Sequence, residues 1–219
     1  MAEGNDRDVA LEWKAAIIAE RRERFPAFSE AVLGDAEVFS RYRAERSDFR
    51  GPVDGWLRAI RLMWVTDAFF AFACYRLKAA AQAKGIPIVP RLAHKMAMRS
   101  AGVCIGDPVV IAPGIYVPHG QIVIDGIVEI AAGTLLFPWT TIGLKAGNPV
   151  GPTIEGHVTV ATGAKVVGPV HVGAAATVGA NAVVVHDVAA RTTVVGAPAR
   201  PVGRQVVDAV GIEPTTQGS

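Results

Sequence analysis

An aliphatic residue recurs every six positions from Ile105 to Val184, and this period limits the fold of the second half of the chain more than any other feature. The series opens Ile105, Ile111, Val117. It slips by one residue and continues Ile124, Ile130, Leu136, Ile142, then resumes twelve residues later as Ile154, Val160, Val166, Val172, Val178, Val184. A helix repeats every 3.6 residues and a strand every two, so neither alone sustains this spacing. A parallel β-helix does: short strands and turns coil so that one inward position per unit builds a continuous apolar column. Four places after many of these residues stands a second small or apolar one (Val109, Ile115, Val128, Val158, Ala164, Val170, Ala176, Ala182, Val188), and Gly, Ala or Asn commonly fill the turns. The hexad due at Asn148 is not apolar, which predicts that residues 144–153 leave the coil as a loop.

The first hundred residues read as helix. Helical spacing of apolar residues runs through 8–47, interrupted by Pro26, and again through 56–83; "RGPVDG" (50–55) and "KGIPIVP" (84–90) punctuate it. Charge changes at the same place as texture: residues 1–100 carry 17 Lys/Arg against 13 Asp/Glu, residues 101–219 carry 5 against 7. The expected organisation is an N-terminal α-helical region (1–101), a parallel β-helix domain (102–203) and a tail without fixed structure (204–219), mainly β overall.

Several function classes drop out. Two cysteines, Cys74 and Cys104, cannot form a disulfide framework, and no histidine pair has metal-ligand spacing, so no metal is expected. The polar opening "MAEGNDRDVALEWK" is not a signal peptide, and the longest apolar run, "AFFAFACY" (68–75), is too short to span a bilayer; a cytoplasmic protein is expected. There is no phosphate-binding loop, dinucleotide fingerprint or nucleophile elbow. A nearly neutral chain without a reading motif fits nucleic acid poorly. Residues 56–99 hold eight basic side chains against Asp67 alone, beside much aromatic mass. This segment is read as a contact for an acidic carrier protein or a membrane surface, or as helices packed on the solenoid with their charges in water.

The hexads, "TGAKVVGPVHVGAAATVGANAVVVHDV" and "VVGAPARPVG" make the C-terminal half resemble the hexapeptide-repeat acyltransferases, in their serine acetyltransferase-like branch. The resemblance covers about 102–203 well, and the helices in general layout. It implies a left-handed β-helix, homotrimers or dimers of trimers with active sites in the clefts between subunits, and acetyl-CoA or another acyl-CoA as co-substrate. It brings His119, in "VPHG", onto the family's catalytic histidine. An imidazole near neutral pKa is a suitable base for a hydroxyl attacking a thioester. On the donor side the resemblance carries over Gly143, Thr162, Gly163 and Ala180, with Lys165 and Arg200 as phosphate contacts. Lys165 also reads as an exposed turn lysine, and Arg200 as a cap on the last coil.

The departures lie on the acceptor side. The aspartate expected fifteen residues before the histidine is Cys104, the one just before it is Pro118, and the loop Arg-His-Pro is Val150-Gly151-Pro152. Without that clamp a free amino acid should be held badly. The expectation is therefore an acyl-CoA-dependent O-acyltransferase acting on an acceptor other than free serine, such as a sugar, natural-product or carrier-linked substrate. Two alternatives stand beside it: a true serine O-acetyltransferase with Asp107 or Asp125 orienting the base, and a non-catalytic trimeric scaffold. Tyr116 and Trp139 could wall the acceptor pocket or pack ordinarily. His157 adjoins the loop, His94 reads as packing, and His171 and His186 as solvent-facing. Cys104, taken as leaning inward, reads as a small core residue before a nucleophile.

Overall fold

The computed structural model describes residues 16, 17, 19–21 and 23–202. Most of the helix expected from residue 8, the opening "MAEGNDRDVALEWK" and the tail 204–219 lie outside the described residues. Residues 16, 17 and 19–21 are helical, and four helices with described bounds follow: α1 (Phe28–Tyr42), α2 (Pro52–Val65), α3 (Asp67–Ala83) and α4 (Val89–Ala101). Among the described residues no helix is long and apolar enough to cross a membrane.

The helices differ from the sequence reading in three places. α1 stops at Tyr42, short of 47. The single helix expected over 56–83 is two, because Thr66 adopts an extended conformation (φ −140°, ψ 105°) between α2 and α3. The segment 84–90 turns the chain and then starts α4, with Pro90 in its first turn, where a missing N–H costs nothing.

From Val103 the chain is a left-handed parallel β-helix with three faces. Face one stacks β1 (Val103–Ile105), β3 (Ile122–Asp125), β6 (Thr141–Gly143), β9 (Lys165–Val167) and β12 (Val183–Val184). Face two stacks β2 (Val110–Ile111), β4 (Ile127–Ile130), β7 (Val150–Ile154) and β10 (His171–Val172). Face three stacks β5 (Leu135–Leu136), β8 (Thr159–Val160), β11 (Thr177–Val178) and β13 (Thr193–Val195), closed by the antiparallel β14 (Arg200–Pro201). Every aliphatic hexad residue from Ile105 to Val184 is buried, as are the companions four places on.

The excursion after Ile142 is shorter than expected. Residues 144–149 leave the coil, with Lys145 and Asn148 bridged across it, and 150–153 rejoin face two as part of β7. The added residues are absorbed by a register shift between Ile127 and Glu129, and a side chain at Gly151 would run into Val128.

One end of this solenoid poses a physical problem. On the first coil Gly106 N donates to Ile124 O and Ala112 N to Ile130 O of the next coil, whereas the carbonyls of Ile105, Val109, Ile111 and Ala112 face the open end and need donors from outside the ladder. Helix α3 supplies the missing donors. Lys78 Nζ donates to the Ile105 carbonyl (2.6 Å), Tyr75 Oη to Val109 (3.0 Å), and Arg76 to Ile111 and Ala112. Burial pushes the Tyr75 phenol up to about 12, so it stays a donor. Arg76 also makes a bidentate pair with Asp35 of α1 (2.8 and 3.1 Å), both side chains 2 % exposed. Asp35 accepts in turn from the Gly114 and Ile115 amides (2.9 and 3.1 Å). α1 comes this close because residue 34 is glycine; a Cβ there would sit 3.0 Å from that of Pro113.

Removing one partner of a buried pair strands the other charge. Asp35→Ala is expected to destabilise the protein by about 3–5 kcal/mol in equilibrium urea unfolding, and a joint Asp35→Leu/Arg76→Met replacement to recover much of the loss.

Candidate active site

Three residues past each inward residue of face three the chain turns onto face one, and these turns stack into a single edge. A residue in the left-handed region makes each turn: Gly120 and Gln121 in the first, then Trp139, Gly163 and Asn181. Hydrogen bonds join the levels, from Trp139 N to Gln121 O (2.8 Å), Gly163 N to Pro138 O (2.9 Å) and Asn181 N to Thr162 O (2.9 Å). The edge therefore carries His119, Trp139, Thr162, Gly163 and Ala180 in order. Levels stack at about 4.8 Å, so the three steps from His119 to Ala180 cover about 14 Å. Lys165 of β9 joins them, its Nζ donating to the Trp139 carbonyl (2.6 Å). The turn 196–199 closes the edge, with Val183 N donating to Gly196 O and Ala199 N to Val183 O, and Arg200 follows it, exposed.

His119 occupies the lengthened turn. The one-residue slip between Val117 and Ile124 falls at 118–121, where Gly120 and Gln121 are both left-handed. Below, Gln121 N donates to Ala101 O at the end of α4 (2.6 Å); a side chain at Gly120 would collide with Ala101. The turn is thus held from both sides, and His119 projects from it into solvent. Among the described residues no side chain hydrogen-bonds its ring.

The remaining candidates lie elsewhere. Gly143 is buried near the turn from face one to face two. His157 sits on the third edge, its ring over Gly133, with its N–H on Ala132 O. Tyr116 bridges to Leu135, and its ring is stacked on Tyr42 (4.5 Å) and edge-on to Phe39 (4.9 Å), so helix α1 covers it. Of the acceptor-wall candidates only Trp139 shares the edge with His119.

Cys104 corrects the sequence reading. Val103 and Ile105 point inward, so alternation places Cys104 on the outer surface of face one. There it lines a cavity of about 750 Å³ between the helices and the solenoid, together with Lys78, Arg91, His94, Asp107 and Asp125. His119 does not line it. Asp125 ends β3, a strand's length from the His119 turn, and Asp107 pairs with Lys78 (2.8 Å). Neither carboxylate is placed behind the base. Burial, reinforced by Lys78 and opposed by Asp107, holds the His94 imidazole below its ordinary range.

The basic count of 56–99 is also reduced by the structure. Arg76 and Lys78 are buried at the seam, Arg58 pairs with Asp54, and Arg61 with Glu45. Half of the eight cations are thus spent within the protomer.

No family model matches the chain. Among curated proteins it is 33 % identical over 143 residues to the serine acetyltransferase of Synechococcus elongatus, covering 64 % of this chain and 58 % of that one. It is likewise 33 % identical over 136 residues to the serine acetyltransferase of Helicobacter pylori, covering 60 % of this chain and 79 % of the relative. The chain belongs to the serine acetyltransferase family. Among solved structures, soybean serine acetyltransferase complexed with serine superposes with a TM-score of 0.67 at 25 % identity, over 81 % of this chain and 70 % of that one.

These relatives overturn the expectation of an acceptor other than free serine. That inference rested on Cys104, Pro118 and Val150-Gly151-Pro152. Such substitutions say which groups a family member has lost, not which have replaced them. The sequence places Trp139 near His119; that Gly163 and Asn181 share its edge follows from counting three residues past every third hexad.

The position of Cys104 has a direct check. Cys74 is buried, and burial pushes its thiol up. Alkylation of the folded protein by iodoacetamide, followed by peptide mass spectrometry, is expected to label Cys104 well before Cys74; equal protection of both would return Cys104 to the core.

Proposed function

We propose that this chain is a cytoplasmic serine O-acetyltransferase that uses acetyl-CoA, works as a homotrimer and employs His119 as general base. The observation that carries the reading is the edge itself, in a chain of this family: an exposed histidine on a doubly held turn, followed level by level by open backbone and a lysine. The serine hydroxyl loses its proton to the His119 imidazole as its oxygen attacks the thioester carbonyl. The tetrahedral intermediate expels the CoA sulfur, which takes the proton from the imidazolium, leaving O-acetylserine and CoA. No covalent acyl-enzyme is required. Thr162, Gly163 and Ala180 offer an uncluttered path for the donor's arm, with Arg200 beyond them as the cation for its phosphates; Lys165, held on the Trp139 carbonyl, stands at the thioester end instead. The doubly held turn fixes where the backbone of the base stands.

The test is CoA-thiol release from acetyl-CoA in the presence of serine. His119→Ala is expected to lower turnover by about 10²–10⁴ while leaving acetyl-CoA binding and oligomeric state unchanged. Turnover within a few-fold of wild type would remove His119 from the chemistry. A wild-type protein that transfers nothing to serine would overturn the reading in favour of a scaffold.

A further inference from the structure

Among the left-handed turn residues of this edge, Trp139 is the one with a bulky aromatic side chain. The neighbouring turns take that conformation at Gly120, Gln121, Gly163 and Asn181, and Trp139 takes it at φ 66°. Trp139 is 60 % exposed, so its conformation is not repaid by burial in the protomer. Strain of this kind persists where the surroundings over-determine it, and here they do. The Trp139 N–H is fixed on Gln121 O and its carbonyl on Lys165 Nζ (2.8 and 2.6 Å). The base of the indole is therefore locked one level from the turn that carries His119.

We propose that the Trp139 indole walls the acyl pocket beside His119 and restricts the donor to short acyl chains. The inference rests on the serine acetyltransferase reading above. His119 lies on the level before Trp139, and the donor-side residues Thr162, Gly163 and Ala180 lie on the levels after it. A donor laid along this edge must bring its thioester past Trp139 to reach the base. What passes the ring is the carbonyl with its acyl substituent, a small flat group suited to an aromatic face. The indole is longer than the level spacing of about 4.8 Å, so it closes space that a longer chain would need.

The experiment compares wild type, Trp139→Phe and Trp139→Gly as full-length proteins, with acetyl-CoA and hexanoyl-CoA as donors and serine as acceptor. Glycine takes the left-handed turn without strain, so Trp139→Gly is expected to melt no lower than wild type. It is expected to raise the hexanoyl/acetyl ratio of kcat/KM by about 10-fold or more, with Trp139→Phe staying within a few-fold of wild type. An unchanged ratio in an active Trp139→Gly protein overturns the proposal, and so does a changed sedimentation coefficient, which would make Trp139 a subunit contact. A second readout needs no acceptor: acetyl-CoA should change indole fluorescence in wild type and lose that component in Trp139→Gly. Fluorescence change without transfer to serine would support the wall and defeat the functional reading; no change would defeat the wall.

Discussion

The carbonyl row on the first coil is the constraint from which much of the rest follows. A parallel solenoid satisfies itself in its middle and leaves backbone groups without ladder partners at each end. Here the open end presents acceptors at Ile105, Val109, Ile111 and Ala112, and only donors can close it. That explains why the face of α3 toward the solenoid carries Tyr75, Arg76 and Lys78 where an apolar stripe would otherwise be expected. Bringing a guanidinium there creates a second problem, a buried charge, which Asp35 answers by pairing bidentately with Arg76. Asp35 in turn takes two amides of the first coil, so the pair ties α1, α3 and the solenoid at one point. Helix α1 then covers Tyr116, and α4 ends where its Ala101 carbonyl supports the turn of His119. The placement of the base thus descends from the closure of a sheet end more than twenty residues earlier in the coil path than any donor-side residue.

What the sequence made legible was whatever repeats. The hexad positions depend only on a local alternation of inward and outward residues, and each of them is buried. The same alternation, applied one residue further, would have turned Cys104 outward from its neighbour Ile105. Other features depended on distant partners. Thr66 breaks a helix that apolar spacing alone would continue, because spacing is blind to a single extended residue. The net charge of 56–99 counted cations without their partners, and Asp35, Asp54, Glu45 and Asp107 lie outside the segment or were not matched to it. The edge shared by His119 and Gly163 required knowing that the excursion at 144–149 adds a whole unit without changing which face follows.

In a chain built from one repeated unit, departures from the repeat hold most of the information about use. Three stand out, and they differ in kind. The added residue between Val117 and Ile124 lengthens the turn and pushes His119 outward, a change in chain length at one level. The excursion at 144–149 leaves the solenoid at another edge and is repaired within one strand by a shifted register. At Trp139 the length is regular and only the side chain is wrong for its conformation. The first and third are adjacent levels of one edge, joined by the hydrogen bond from Trp139 N to Gln121 O. The levels above them continue the same turn with the smaller Gly163 and Asn181. Two independent irregularities meeting on one edge, with regular turns continuing beyond, is the pattern expected when a rigid repeat is bent to a local chemical purpose.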